Sequence, residues 1–144
     1  KENNRGIKMK KNRTVFFGVL LCILIIVFLM IHFNFIKPIN QTIIEVRNMK
    51  IEDVDLNNVK NGTYSGDYNY GAFYCAVEVT VLNHKISDIK IVKNEDTKYA
   101  KKAEGVILKV IEKQKVNVDT VSGATTTSKA LLKATENALR KGLE

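Results

Sequence analysis

The run from Val15 to Ile31 holds no charged residue and almost no polar one. No other stretch of the 144-residue chain constrains its fold as strongly. Phe33, Phe35 and Ile36 extend the run, with His32 and Asn34 towards its far end. A helix over 14–36, rising about 1.5 Å per residue, spans a hydrocarbon core roughly 30 Å thick. Pro38, which has no N–H to give to a helix interior, is expected to end it.

Three other fates for this segment are weaker. A cleaved signal peptide has a shorter apolar core and an Ala-x-Ala-like cut site, and no such pattern follows here. A lipoprotein site needs a small residue before its cysteine, whereas Leu21 precedes Cys22 and the apolar run continues past it. A buried core helix would need more chain around it than remains. The reading is an uncleaved anchor. Its N-terminal flank carries Lys1, Arg5, Lys8, Lys10, Lys11 and Arg13 against Glu2 alone. The excess of basic residues predicts a cytoplasmic tail over 1–13 and an extracytoplasmic C-terminal part, on the cell membrane. Met9-Lys10-Lys11 resembles a translation start, and the orientation does not depend on residues 1–8.

The formal charge of +8 is mostly this flank: six basic and one acidic residue in 1–13, against 17 basic and 14 acidic in 37–144. A nucleic-acid partner would need a basic stripe on the folded part, so none is expected. Cys22 and Cys75 sit in the apolar run and in a predicted strand, which leaves no disulfide framework. His32 and His84 are too isolated to suggest a metal site.

Residues 37–60 mix Ile39, Ile43, Ile44, Val46, Ile51, Val54 and Leu56 with charges and show no clear period, so they are read as a stalk. Asn61-Gly62 marks a turn. From Phe73 the pattern alternates: Phe73, Cys75, Val77, Val79 and Val81 on one face, Tyr74, Glu78 and Thr80 on the other. This is a half-buried strand. A turn at Asn83-His84-Lys85 and a return over 86–92 make a β-hairpin. Tyr99, Ala103, Val106, Ile107 and Val110 recur at helical spacing over 99–114, and a last helix is expected over about 126–140. The fold class is α+β: a transmembrane helix followed by a small domain, 61–144, with an antiparallel sheet and two helices.

Asp119-Thr120-Val121-Ser122-Gly123-Ala124-Thr125-Thr126-Thr127-Ser128 is a small-residue turn entering that last helix. Gly123 permits backbone angles other residues avoid. The N–H groups opening a helix, with the positive end of its dipole, favour an anion, and the crowded hydroxyls would add donors to a phosphate. Ser and Thr are also the preferred helix caps, so the residues alone leave both readings open.

The segment Asp-x-x-Ser-Gly-Ala-Thr, running from Asp119 to Thr125 and followed by an Ala-rich helix, resembles the flavinylation motif of the FMN-binding domain family. That family includes peripheral subunits of sodium-pumping NADH:quinone oxidoreductases and of Rnf complexes. Asn61-Gly62-Thr63-Tyr64-Ser65-Gly66, the hairpin from Ala72 to Val92, and Asn94-Glu95-Asp96-Thr97 occur in the expected order. The resemblance covers roughly 61–142 and departs at His84, where glycine is usual. It implies FMN esterified through its phosphate to Thr125, with Ser122, Gly123, Ala124, Thr126, Thr127 and Asp119 around it. It also implies a separate Mg²⁺-dependent FAD:protein FMN transferase as partner, since the chain offers no nucleophile–base pair of its own. The expected role is an electron carrier or redox subunit rather than a stand-alone enzyme, exchanging electrons with quinol or a membrane oxidoreductase complex. Tyr64, Tyr68, Tyr70 and Phe73 are candidates for stacking on the flavin ring, and Lys129 for its phosphate. The rival readings are non-covalent FMN binding and a flavin-free tethered interaction or regulatory module.

Overall fold

The computed structural model describes residues 2–71 and 73–143, and the chain forms two units, residues 1–40 and residues 41–144. In the first, helix α1 (Glu2–Ile31) carries the apolar run. The 20-residue span Val15–Asn34 contains an 18-residue window of mean hydropathy 3.1, and is long and apolar enough to cross a membrane. The helix does not stop at Pro38. A π turn over His32–Ile36 leads directly into α2 (Lys37–Asn48), with the Lys37 N–H donating to the His32 carbonyl. Proline removes one donor from a helix. A widened turn just before it leaves the carbonyls there differently paired, so the missing N–H costs no break.

The second unit is built on strands β1 (Gly62–Tyr70), β2 (Phe73–Leu82) and β3 (Lys85–Lys93), antiparallel and in that spatial order. The alternation read from the sequence is the one observed. Cys75, Val77, Val79 and Val81 are buried, while the residues between them are partly open. A residue of this size fully buried stabilises by about 1.5–3 kcal/mol, so this row is a large part of what holds the sheet to its covering helix. At the β2–β3 turn both Asn83 (φ 51°) and His84 (φ 59°) are left-handed, so His84 itself takes the conformation glycine would favour. Val79 pairs with Ile89 but Val81 with Ile86. That bulge lets Ile86 and Ile89, three apart, both face inwards; strict alternation would have exposed one of them.

The helical pattern over 99–114 is divided. Helix α3 (Lys98–Ala103) and helix α4 (Gly105–Lys113) are separated at Glu104, and Gln114 closes α4 in a left-handed conformation. Helix α5 (Thr125–Arg140) packs on β1 and β2 through Leu131, Ala134, Ala138 and Leu139. Residues 41–60, expected as a stalk, are folded onto this unit: Val46, Ile51 and Val59 are buried, and Val59 bridges to Leu143. The short apolar pattern there had no visible period because only single residues are inserted, from a helix end and from coil.

Glu136 is fully buried on α5 and accepts from Lys133 Nζ (2.9 Å), Arg140 Nε (2.9 Å) and the Glu52 N–H (3.2 Å). Arg140 continues to the Glu52 carboxylate, tying residue 52 to the helix. Burial alone would raise the carboxyl's pKa, but the bonds from Lys133, Glu52 and Arg140 together hold it below the usual range. A lowered folded-state pKa contributes stability that is complete above the unfolded-state value, about 4.3, and is lost as pH falls through the folded value. The expected result is a stability gap between wild type and Glu136→Gln at pH 7 that closes below about pH 4. Urea midpoints across that range measure it, and a gap constant with pH would show that the charge is not what stabilises.

Candidate functional site

Helix α5 begins without a side-chain cap. Its N-cap is Ala124 (φ −133°, ψ 28°), so the amides of Thr125, Thr126 and Thr127 open the helix with no capping oxygen. The hydroxyl-as-cap reading therefore does not hold for this turn. The one hydroxyl drawn inwards is Ser128, fully buried, whose Oγ accepts the Val121 N–H at 3.2 Å. Gly123 has φ 75°, which turns the chain from the irregular segment 119–121 into the helix. Lys109 Nζ donates to the carbonyls of Asp119 (2.9 Å) and Thr120 (3.5 Å), and the Ala124 N–H returns to the Val121 carbonyl (2.9 Å). The turn is thus held from both sides, with Ser122 and Gly123 at its exposed tip.

In front of this turn lies a groove of about 550 Å³, lined by Ile43, Arg47, Tyr99 and Gly123 to Thr127. That volume falls within the range of small-molecule sites, about 300–1,000 Å³. Of the sequence-predicted residues it brings together Gly123, Ala124, Thr125, Thr126 and Thr127, while Ser122 adjoins them at the tip. Asp119 is exposed six residues before α5 begins, and Lys109 holds its carbonyl oxygen. Lys129 does not face the groove: its Nζ donates to the Met49 carbonyl at 2.9 Å.

Among the described side chains, the aromatic that lines the groove is not one of those expected. Tyr64 spends its hydroxyl on the Lys60 carbonyl (2.8 Å), and both Tyr64 and Tyr68 pack against the core. The side chains of Tyr70 and Phe73 lie outside the described residues. Tyr99 lines the groove and is 63% exposed, although helical spacing grouped it with the core stripe. In α3 the inward positions are Ala100 and Ala103, and Tyr99, one residue off that line, points elsewhere. Its place in a short helix separate from α4 is the signal that spacing over 99–114 concealed.

The charge at the groove is positive. Arg47 lines it, and the Lys102 Nζ lies 3.5 Å from where a Cβ on Gly123 would sit. Among the described residues, the lining contributes no carboxylate and no imidazole. Uncapped amides, two cations, several hydroxyls and one open aromatic ring suit a ligand with an anionic end and a flat apolar end. Another cavity, about 450 Å³ beside His84, is lined mainly by Asn57, Asn58, Asn61 and Asn83 and offers no comparable set. Cys75 is buried under the sheet, and burial pushes its thiol up to about 12, which makes it unreactive. Among the described residues no three of His, Cys, Asp and Glu are grouped to hold a metal ion.

Residues 73–140 match the family model described as an FMN-binding domain. The match takes in β2, β3, α3, α4, the turn with Thr125, and α5. A search of curated proteins finds no match to the chain.

Proposed function

Because its globular unit belongs to the FMN-binding domain family, we propose that this protein is a membrane-anchored electron-transfer flavoprotein, with FMN esterified through its phosphate to Thr125. The observation that supports this most directly is the position of Thr125. It is the first residue of α5, at the uncapped end, in the groove with the open ring of Tyr99. A phosphoryl group on its hydroxyl would lie among the first-turn amides of α5 and near Lys102 and Arg47. Bound there, FMN supplies one- and two-electron chemistry that no side chain of the groove can perform.

A threonine hydroxyl is a poor nucleophile at neutral pH and needs a base to take its proton. None of the described residues that line the groove can serve as one. Attachment therefore belongs to a partner, an FAD:protein FMN transferase. Thr125 Oγ1 displaces AMP from the phosphorus it becomes bonded to, and the hydroxyl proton passes to that enzyme. An exposed turn fixed by Lys109 is an accessible substrate for it.

In this reading helix α1 anchors the chain, and the excess of basic residues before it supports a flavin domain outside the cytoplasm. There a covalent bond retains the cofactor irrespective of affinity. The electron donor is quinol or a membrane oxidoreductase complex. The full chain co-expressed with the transferase is expected to give a fluorescent band that survives denaturation, and an intact mass raised by one FMN phosphoryl adduct. A colourless product from that host would favour a flavin-free interaction module instead, and flavin lost on denaturation would favour non-covalent binding.

Tyr99 is the aromatic placed to lie against the ring. Tyr99→Ala is expected to raise the emission of the attached flavin severalfold, since a stacked tyrosine quenches it. Unchanged emission with unchanged loading would remove Tyr99 from the ring's surroundings.

A further inference from the structure

We propose that Arg47, from the segment preceding the family-matched residues, is the counter-charge that holds the flavin's phosphoryl group over the start of α5. This rests on the reading of Thr125 as the attachment site. The match begins at residue 73, whereas Arg47 belongs to α2, so this part of the site is supplied by the chain leading out of the anchor rather than by the matched domain.

The placement of α2's last turn is fixed by packing. Val46 is 1% exposed, Met49 packs against the core cluster, and the Met49 carbonyl takes the Lys129 ammonium at 2.9 Å. With Val46 inserted, Ile43 and Arg47, four residues apart on one face, are both presented to the groove. Arg47 has no hydrogen bond or ion pair among the described residues. The nearest acid on its helix, Glu45, acts on Tyr68 instead, where it is one of the smaller causes, after burial and Cys75, of a raised phenol pKa. An unpaired guanidinium facing uncapped amides across a groove without carboxylates completes a phosphate site. Its planar fork can meet two phosphoryl oxygens at once, which the point charge of Lys102 cannot. Ile43 alongside it gives the apolar contact that a neighbouring ribityl chain or ring edge would use.

The test compares the detergent-solubilised full chain with and without attached flavin, made in hosts with and without the transferase. Adduct is counted by intact mass and unfolding followed by calorimetry. Attachment is expected to raise the wild-type Tm by about 5 °C. Arg47→Gln is expected to lose at least half of that rise while its flavin-free Tm equals that of the wild type, and Arg47→Lys to keep most of it. An equal rise in Arg47→Gln overturns the proposal. So does a flavin-free Tm lowered as much as the loaded one, which would make Arg47 merely structural. If Arg47→Gln takes no flavin but Arg47→Lys does, the charge acts already at loading and the proposal stands; if neither loads, a role for charge is refuted. Absence of adduct on the wild type itself would overturn the attachment reading, and this inference with it, and the mass spectrum separates that case from the others.

Discussion

Thr125→Val is expected to remove covalent flavin entirely from protein co-expressed with the transferase, and to leave the domain folded. The size of the first effect follows from chemistry. The ester needs an oxygen at this position, and valine replaces the hydroxyl with a methyl of similar volume. Loss of the adduct is all-or-none rather than graded. The smallness of the second follows from the structure. Thr125 is half-buried and caps nothing, because the N-cap position belongs to Ala124. Valine and threonine have nearly equal helix propensity, so the stability change should stay within about 0.5 kcal/mol. Thr126 and Thr127 line the same groove and keep their hydroxyls in this variant. An intact mass showing the same adduct on Thr125→Val would move the attachment to one of them and overturn the assignment. Thr125→Ser retains an oxygen and is the matching control for whether the transferase reads the methyl group.

How much of this was visible in the sequence differs from element to element, for physical reasons. The apolar run needed only length and charge. The strand Phe73–Leu82 announced itself because one face meets α5 and the other meets water, so the alternation survived in the residues. The turn before α5 was legible as a small-residue helix start, though not as the uncapped end it is; its hydroxyls left a cap and a phosphate site both open, and the chain places alanine at the cap. Legibility failed wherever position depends on contacts from far along the chain. Val46 and Arg47 differ from their neighbours only because Val46 has a pocket to enter, and no local period reports that. The division at Glu104 is similar. Both α3 and α4 bury apolar residues at helical spacing, and the shift between them redirects Tyr99 from core to groove. The residue pattern drew attention to the turn; only packing brings Tyr99 and Arg47 to the same groove.

The largest loss of stability is expected from a single methyl group, on Gly66 in β1. A Cβ built there overlaps the Ala134 carbonyl oxygen and the Ala138 backbone nitrogen, and comes within 2.7 Å of the Ala138 Cβ. The obstacles are backbone atoms of α5, so no rotamer change can make room, and trimming Ala138 to glycine would not relieve it. Either the helix moves off the sheet or the strand bends. Both open contacts along the row from Val77 to Val81 that is otherwise fully covered. Overpacking of this kind costs about 3 kcal/mol, at the upper end of the usual range because the clash is rigid. For a unit of this size that lowers Tm by roughly 12–20 °C. Ser65→Ala, one residue earlier on the exposed face, should change stability by no more than about 0.5 kcal/mol. A Gly66→Ala protein within about 1 kcal/mol of wild type in urea denaturation would show that α5 is not seated as closely as described. The same substitution bears on function through geometry alone. The start of α5 is the floor of the groove, and the position of that floor relative to Arg47 and Tyr99 is set by how β1 and β2 seat the rest of the helix. Gly66→Ala is therefore expected to reduce flavin loading, with the hydroxyl of Thr125 untouched.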